Sequence, residues 1–218
     1  MTEHSDTLDE KVVALYVKEC RRVSSPDFLI IPGIEFSCDN NLHLLGLGTR
    51  QYTNSKDPLQ VSKFIQDNGG VAVMAHPKRY NYQLPPKLEM ILNGIEVWNA
   101  GYDGRFVPNE HSMNLLKDFR KRNGSILAFG GQDLHWITNH SHVQLIVFCE
   151  SLTETAIVKA IKRGNYMMIF SKIIIFSLVF TLLLKVTYAQ SDTLALCEGG
   201  DPIPAGINKH LIFTLISH

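Results

Sequence analysis

The stretch Ser125-Ile126-Leu127-Ala128-Phe129-Gly130-Gly131-Gln132-Asp133-Leu134-His135 runs from a continuous apolar segment into a carboxylate and an imidazole two residues apart. Aspartate and histidine are favoured ligands for zinc, manganese and iron. Three further apolar runs lead into residues of metal-ligand type. Phe28-Leu29-Ile30-Ile31-Pro32-Gly33-Ile34 leads into Glu35, Gly70-Val71-Ala72-Val73-Met74-Ala75 into His76 and Pro77, and Gly94-Ile95-Glu96-Val97-Trp98 into Asn99. The runs are continuous rather than alternating, which predicts parallel strands buried on both faces. In an α/β barrel the C-terminal ends of such strands converge on one face, where chemistry collects.

Helical patterns separate the runs. Helices are predicted over 7–22, 58–68, 109–122 and from Ser151 to about Arg163. Asp57 and Pro58 start the second, and Ser151 with Glu154 forms a capping box for the last. Strands are predicted over 28–34, 42–47, 71–75, 94–98, 125–129 and 143–148. This βα alternation with right-handed crossovers implies a parallel sheet or barrel.

The chain has 218 residues, with 21 Lys and Arg against 21 Asp and Glu. A balanced charge gives no support for a nucleic-acid surface or a polybasic membrane patch. The basic runs Lys18–Arg22 and Lys117–Arg122 read as solvated helix faces. The four cysteines, Cys20, Cys38, Cys149 and Cys197, lack zinc-finger spacing. The first three read as free thiols, which fits a reducing, cytoplasmic compartment.

Read together, Thr2-Glu3-His4, Pro32-Gly33-Ile34-Glu35, His43-Leu44-Leu45-Gly46, Gly70 to Pro77, Gly94-Ile95-Glu96-Val97 and Gly131-Gln132-Asp133-Leu134-His135 resemble, in order and spacing, the polymerase-and-histidinol-phosphatase (PHP) family of metal-dependent phosphoesterases. The resemblance covers residues 1 to about 166. It implies a distorted (β/α)7 barrel binding one to three divalent ions (Mn, Zn or Fe) at the strand C-termini. His4, Glu35, His76, Asp133 and His135 match the family's metal ligands, with Glu35 as the carboxylate that bridges two metals. Glu35, His76, Asp133 and His135 are thereby the catalytic candidates. Lys78, Arg79 and Arg105 are candidates to grip phosphate, since a guanidinium matches its geometry. His43, flanked by Leu42 and Leu44, reads as a core or supporting histidine, and His140 and His142 as loop residues.

Two departures stand out. The family's barrel opens with a strand carrying a His-x-His pair, and none precedes Thr2 here, so the barrel is expected to lack its first strand. Asn99 stands where many relatives place another histidine ligand. The expected activity is hydrolysis of a small phosphate ester by metal-activated water, impaired by these losses. The rival readings are an inactive PHP-like scaffold and an amidohydrolase-like metal hydrolase. The latter lacks a candidate for its carboxylated lysine.

The domain is expected to span 1–170. Residues 171–218 read as a hydrophobic tail. Ile173–Leu184 is an uncharged run between Lys172 and Lys185, short of the roughly 18 residues of a membrane span. With Thr187-Tyr188-Ala189-Gln190 after it, the run resembles a secretory signal, and the tail reads as a fused neighbouring reading frame, a membrane anchor or a terminal strand. Membrane association would require that run.

Overall fold

A computed structural model describes residues 1–103, 107–135, 143–170 and 210–213. Strands β1 (Thr2–His4), β2 (Gly33–Ser37), β3 (His43–Leu47), β4 (Val71–Met74), β5 (Gly94–Asn99) and β6 (Leu127–Gly131) form one sheet, in that spatial order. Strands β7 (Val143–Phe148), β8 (Tyr166–Phe170) and β9 (His210–Phe213) form another, ordered β8-β7-β9. The helices are α1 (Glu10–Val23), α2 (Pro58–Asp67), α3 (Glu110–Arg122) and α4 (Glu154–Lys162). The result is a mixed α/β fold with a parallel-rich central sheet.

The expectation of parallel pairing, in a sheet or barrel, holds for most strand pairs of the central sheet but not at β3. Pairs β1–β2, β4–β5 and β5–β6 are parallel, but β3 is antiparallel to both β2 and β4. The cause is local. Only Cys38 to Leu42 separate β2 from β3, far fewer than a parallel crossover needs. Cys38 N–H donates to the Leu42 carbonyl at 2.7 Å. Asn40 and Asn41 take positive φ (59° and 58°), which asparagine tolerates.

Two strands are displaced from the predicted positions. Phe28–Pro32 lies outside the sheet and β2 begins at Gly33, so Glu35 sits at the centre of a strand rather than after one. Phe28 remains 58% exposed. The 125–129 strand is shifted to Leu127–Gly131. The capping box at Ser151 is also corrected. Thr153 is the N-cap of α4, and its hydroxyl accepts from Ala156 N–H. Asp57 caps α2 as expected, accepting from Leu59 N–H at 2.8 Å, with Pro58 in the first turn.

Both faces of the central sheet are covered, which explains the continuous apolar runs. Ile34, Phe36, Leu44, Met74, Ile95 and Val97 pack on one side with Val13, Ile65 and Leu116 from α1, α2 and α3. Leu45, Val73, Ala75 and Phe129 pack on the other with Leu145 and Val147 of β7 and Ile157 and Ile161 of α4. Tyr166 Oη on β8 donates to the Ala128 carbonyl of β6 at 2.7 Å, tying the second sheet to the first.

Within residues 171–218 the structure describes only β9. β9 pairs with β7 in antiparallel register, Ile146 opposite Ile212. Ile173–Leu184 lies outside the described residues. Among those described, no helix is long and apolar enough to cross a membrane.

Candidate metal centre

β1, β2 and β3 bring three ligand-type side chains to one face of the sheet. His4 is the register partner of Glu35 in the β1–β2 pair. His43 opens β3, and because β3 runs backwards its start lies beside the ends of the parallel strands. Ala75 N–H, just past β4, donates to the His43 carbonyl at 3.1 Å. One ligand atom from each of His4, Glu35 and His43 lies within 4.8 Å of the others. That is about the separation of ligands that share one ion.

Glu35 is fully buried. Its Oε1 lies 2.5 Å from His43 Nδ1 and 3.2 Å from His76 Nε2. Burial alone would raise its pKa. Hydrogen bonding to His43 and His76 and the charge of His4 outweigh burial and hold it at about 2. The carboxylate is thus an anion ready to meet a cation. Its other oxygen, Oε2, and His76 Nδ1 are buried with no hydrogen-bond partner among the described residues. Buried polar atoms are seldom left without partners, and a carboxylate oxygen and an imidazole nitrogen are both metal-ligand atoms. Arg79 Nη1 also lies 3.2 Å from His43 Nδ1. The donor set fits a divalent ion.

His76 sits in the loop after β4 with φ +27° and ψ +67°, and Asp133 follows β6 with φ +50°. Such backbone costs of order 1–3 kcal/mol per residue and clusters at functional sites. Burial lowers the His76 pKa, but the Glu35 hydrogen bond and the charges of Glu96, Glu35 and Asp133 more than compensate, so it is raised overall. Tyr102 packs against the ring, with centroids 4.8 Å apart.

Of the remaining sequence candidates, Asp133 has a buried side chain and His135 is at the rim. The Asp133 side chain is 5% exposed and that of His135 is 52% exposed. His135 Nδ1 lies 3.2 Å from the Asp133 carbonyl, and its ring centroid is 5.8 Å from that of His4. The structure therefore brings Glu35, His76, His4 and Asp133 to one region and leaves His135 at its open lip. Lys78 Nζ donates to the Tyr102 carbonyl at 2.6 Å. Arg105, His140 and His142 lie outside the described residues.

His43, read from the sequence as a core or supporting histidine, is placed in the cluster itself, because it opens a strand rather than following one. A reading of Cys38–Leu42 as a hairpin turn would have found it. Glu96 lies within the matched string Gly94-Ile95-Glu96-Val97, but nothing along the chain shows what its carboxylate touches. Asn99 is fully buried. Its Nδ2 donates to Glu96 Oε2 at 2.9 Å, and its Oδ1 accepts from Gly101 N–H at 2.9 Å and Tyr102 N–H at 3.1 Å. The amide is committed to a turn and is not free to coordinate.

Fold and site together define a mixed α/β domain with a buried histidine–carboxylate cluster. No protein-family model matches the chain, and no curated protein matches it. Among solved structures, it is similar to a two-domain protein of Bacteroides vulgatus that contains a predicted PHP-like metal-dependent phosphoesterase. The TM-score is 0.53 at 15% identity, over 78% of this chain and 55% of that one. It is also similar to a protein of Bifidobacterium adolescentis provisionally named a metal-dependent phosphoesterase. There the TM-score is 0.42 at 14% identity, over 62% of this chain and 76% of that one. The first likeness shows a shared fold, and this chain spans about half the length of that relative.

Proposed function

We propose that this chain is a PHP-type metal-dependent phosphoesterase domain acting on a small phosphate ester. The observation that carries the reading is the grouping of His4, Glu35 and His43 within one ion's reach, beside the unpartnered Glu35 Oε2. The shared fold supports it. His4, Glu35 and His43 would hold a divalent ion of the Mn, Zn or Fe type, with the buried side chains of His76 and Asp133, and His135 at the rim, as further ligands. Bound there, the ion supplies Lewis acidity, a water of lowered pKa and neutralisation of phosphoryl charge.

The chain's own residues supply the rest. Burial of Glu35 and His76 shields the centre from bulk water, which strengthens electrostatic interactions there. The Glu35 contacts to His43 and His76 set how the two imidazoles face each other. Arg79, beside His43, presents a guanidinium suited to phosphate oxygens. Lys78 adds positive charge at the same edge.

A second reading, a metal-binding domain with little or no turnover, is favoured by one observation. Asn99 stands where relatives are expected to place a histidine ligand, and its amide is consumed by the turn. The test is to purify the full chain, load it with Mn²⁺ or Zn²⁺, dialyse it, and measure bound metal and hydrolysis of an aryl phosphate. Retained metal that is lost in Glu35→Gln supports the metal centre, and turnover separates the two readings. A chain that retains no metal refutes both.

A further inference from the structure

We infer that Glu96 is a positioning residue of this centre: its carboxylate locks the backbone of His76 and the Asn99 turn in place, and Gly131 exists to make room for it. Glu96 lies on β5 and is 1% exposed. Its neighbours Ile95 and Val97 pack with the helices of the first core cluster, so Glu96 points to the opposite face of the sheet. Oε2 accepts from His76 N–H at 2.8 Å and from Asn99 Nδ2 at 2.9 Å. One carboxylate oxygen thus joins the loop after β4 to the end of β5.

The other oxygen, Oε1, is buried without a hydrogen-bond partner among the described residues and packs over β6. A Cβ built on Gly131 would stand 2.2 Å from it. Gly131 does not have positive φ, so its requirement is for space rather than for backbone conformation. A buried carboxylate is costly, and an apolar residue of similar volume would serve stability as well or better. What Glu96 supplies and an apolar residue cannot is an acceptor for the His76 N–H, at a residue whose backbone is strained. Without that bond the loop relaxes and the imidazole beside Glu35 loses its aim.

The consequence for metal binding rests on the proposed function, whereas the link to His76 does not. The test uses the full chain and two readouts, the Mn²⁺ dissociation constant and hydrogen exchange at the His76 amide. Glu96→Met, which keeps volume and removes the acceptor, should weaken Mn²⁺ binding by on the order of 10- to 100-fold, as loss of a ligand-orienting partner does, and speed His76 exchange. Glu96→Gln should recover most of both, since one amide oxygen can accept both bonds. Gly131→Ala should reproduce the Glu96→Met defect through the clash alone, and should add nothing in a Glu96→Ala background. That pairing keeps the test decisive even if Glu96→Met fails to fold. Unchanged His76 exchange in Glu96→Met, a Gln variant as damaged as the Met variant, or additive effects of Glu96→Ala and Gly131→Ala would each overturn the inference. If the wild-type chain binds no Mn²⁺, the metal reading fails and His76 exchange still decides the role of Glu96.

Discussion

His43 and Glu35 meet across the β2–β3 pair, the imidazole Nδ1 2.5 Å from the carboxylate Oε1, with both side chains buried. The contact exists because β3 is antiparallel. Were β3 parallel, its first residue would lie at the far edge of the sheet, away from His76 and Asp133. A histidine that looks like core in the sequence is thereby placed beside the most buried carboxylate of the cluster.

His43→Ala is therefore expected to act on metal rather than on stability alone. Mn²⁺ affinity should fall by at least about tenfold, as when a metal site loses an orienting or ligating group. Circular dichroism should show the fold retained. Atomic absorption after dialysis, run beside Glu35→Gln, checks it. Metal retained at the wild-type level would return His43 to the role of a packed core residue.

Asn99→His is the change that motif comparison recommends for restoring a ligand. The structure argues for the opposite outcome. Histidine cannot both donate to Glu96 and accept from two backbone N–H groups, so the turn at Gly101 and Tyr102 should open. We expect no gain in metal stoichiometry and a loss of stability of about 0.5–1.5 kcal/mol for the part-buried hydrogen bonds of the turn. Urea unfolding and metal analysis of the same samples measure the two effects, and a variant that gains an ion at unchanged stability would contradict this reading.

The start of α4 offers a test of local structure independent of the site. Thr153→Ala should cost about 0.5–2 kcal/mol, the usual value of an N-cap. Ser151→Ala should stay within about 0.5 kcal/mol. Chemical denaturation of the two variants distinguishes them. Equal losses, or a larger loss at Ser151, would show that the helix begins earlier.

The thiols should be inert in the folded protein. Cys20, Cys38 and Cys149 are buried and free, and burial raises the pKa of each, Cys38 to about 12. At pH 8 about one Cys38 in 10⁴ is then thiolate, the reactive form. In a Cys197→Ser background, Ellman's reagent should label none of the three until denaturant is added. Linkage carries a matching sign for Cys38. The unfolded thiol ionises near 9.0 and the folded one near 12, so stability that is intact below pH 9 is lost as pH rises towards 12. Rapid labelling at pH 8 without denaturant would mean that the core around Cys38 opens readily.

Elements whose causes are local are legible along the chain. Asp57 with Pro58 starts α2, Gly69 ends it at φ +80°, and Val143–Phe148 forms a strand over the predicted span. The sequence also pointed to Glu35, His76 and Asp133 as residues of one region, because ligand types next to apolar runs are visible in a linear pattern. The short Cys38–Leu42 connection already implies a hairpin and hence the antiparallel β3, but that His43 then meets Glu35 and lies beside His76 is visible only in three dimensions. Tertiary structure also placed Glu35 within β2 rather than after it, because Pro32 and the residues before it do not join the ladder. Above all it decided the roles of Glu96, Asn99 and Gly131. Each is defined by partners elsewhere in the fold, Glu96 by a backbone amide twenty positions away and Gly131 by the carboxylate whose space it leaves open, and no pattern along the chain carries that information.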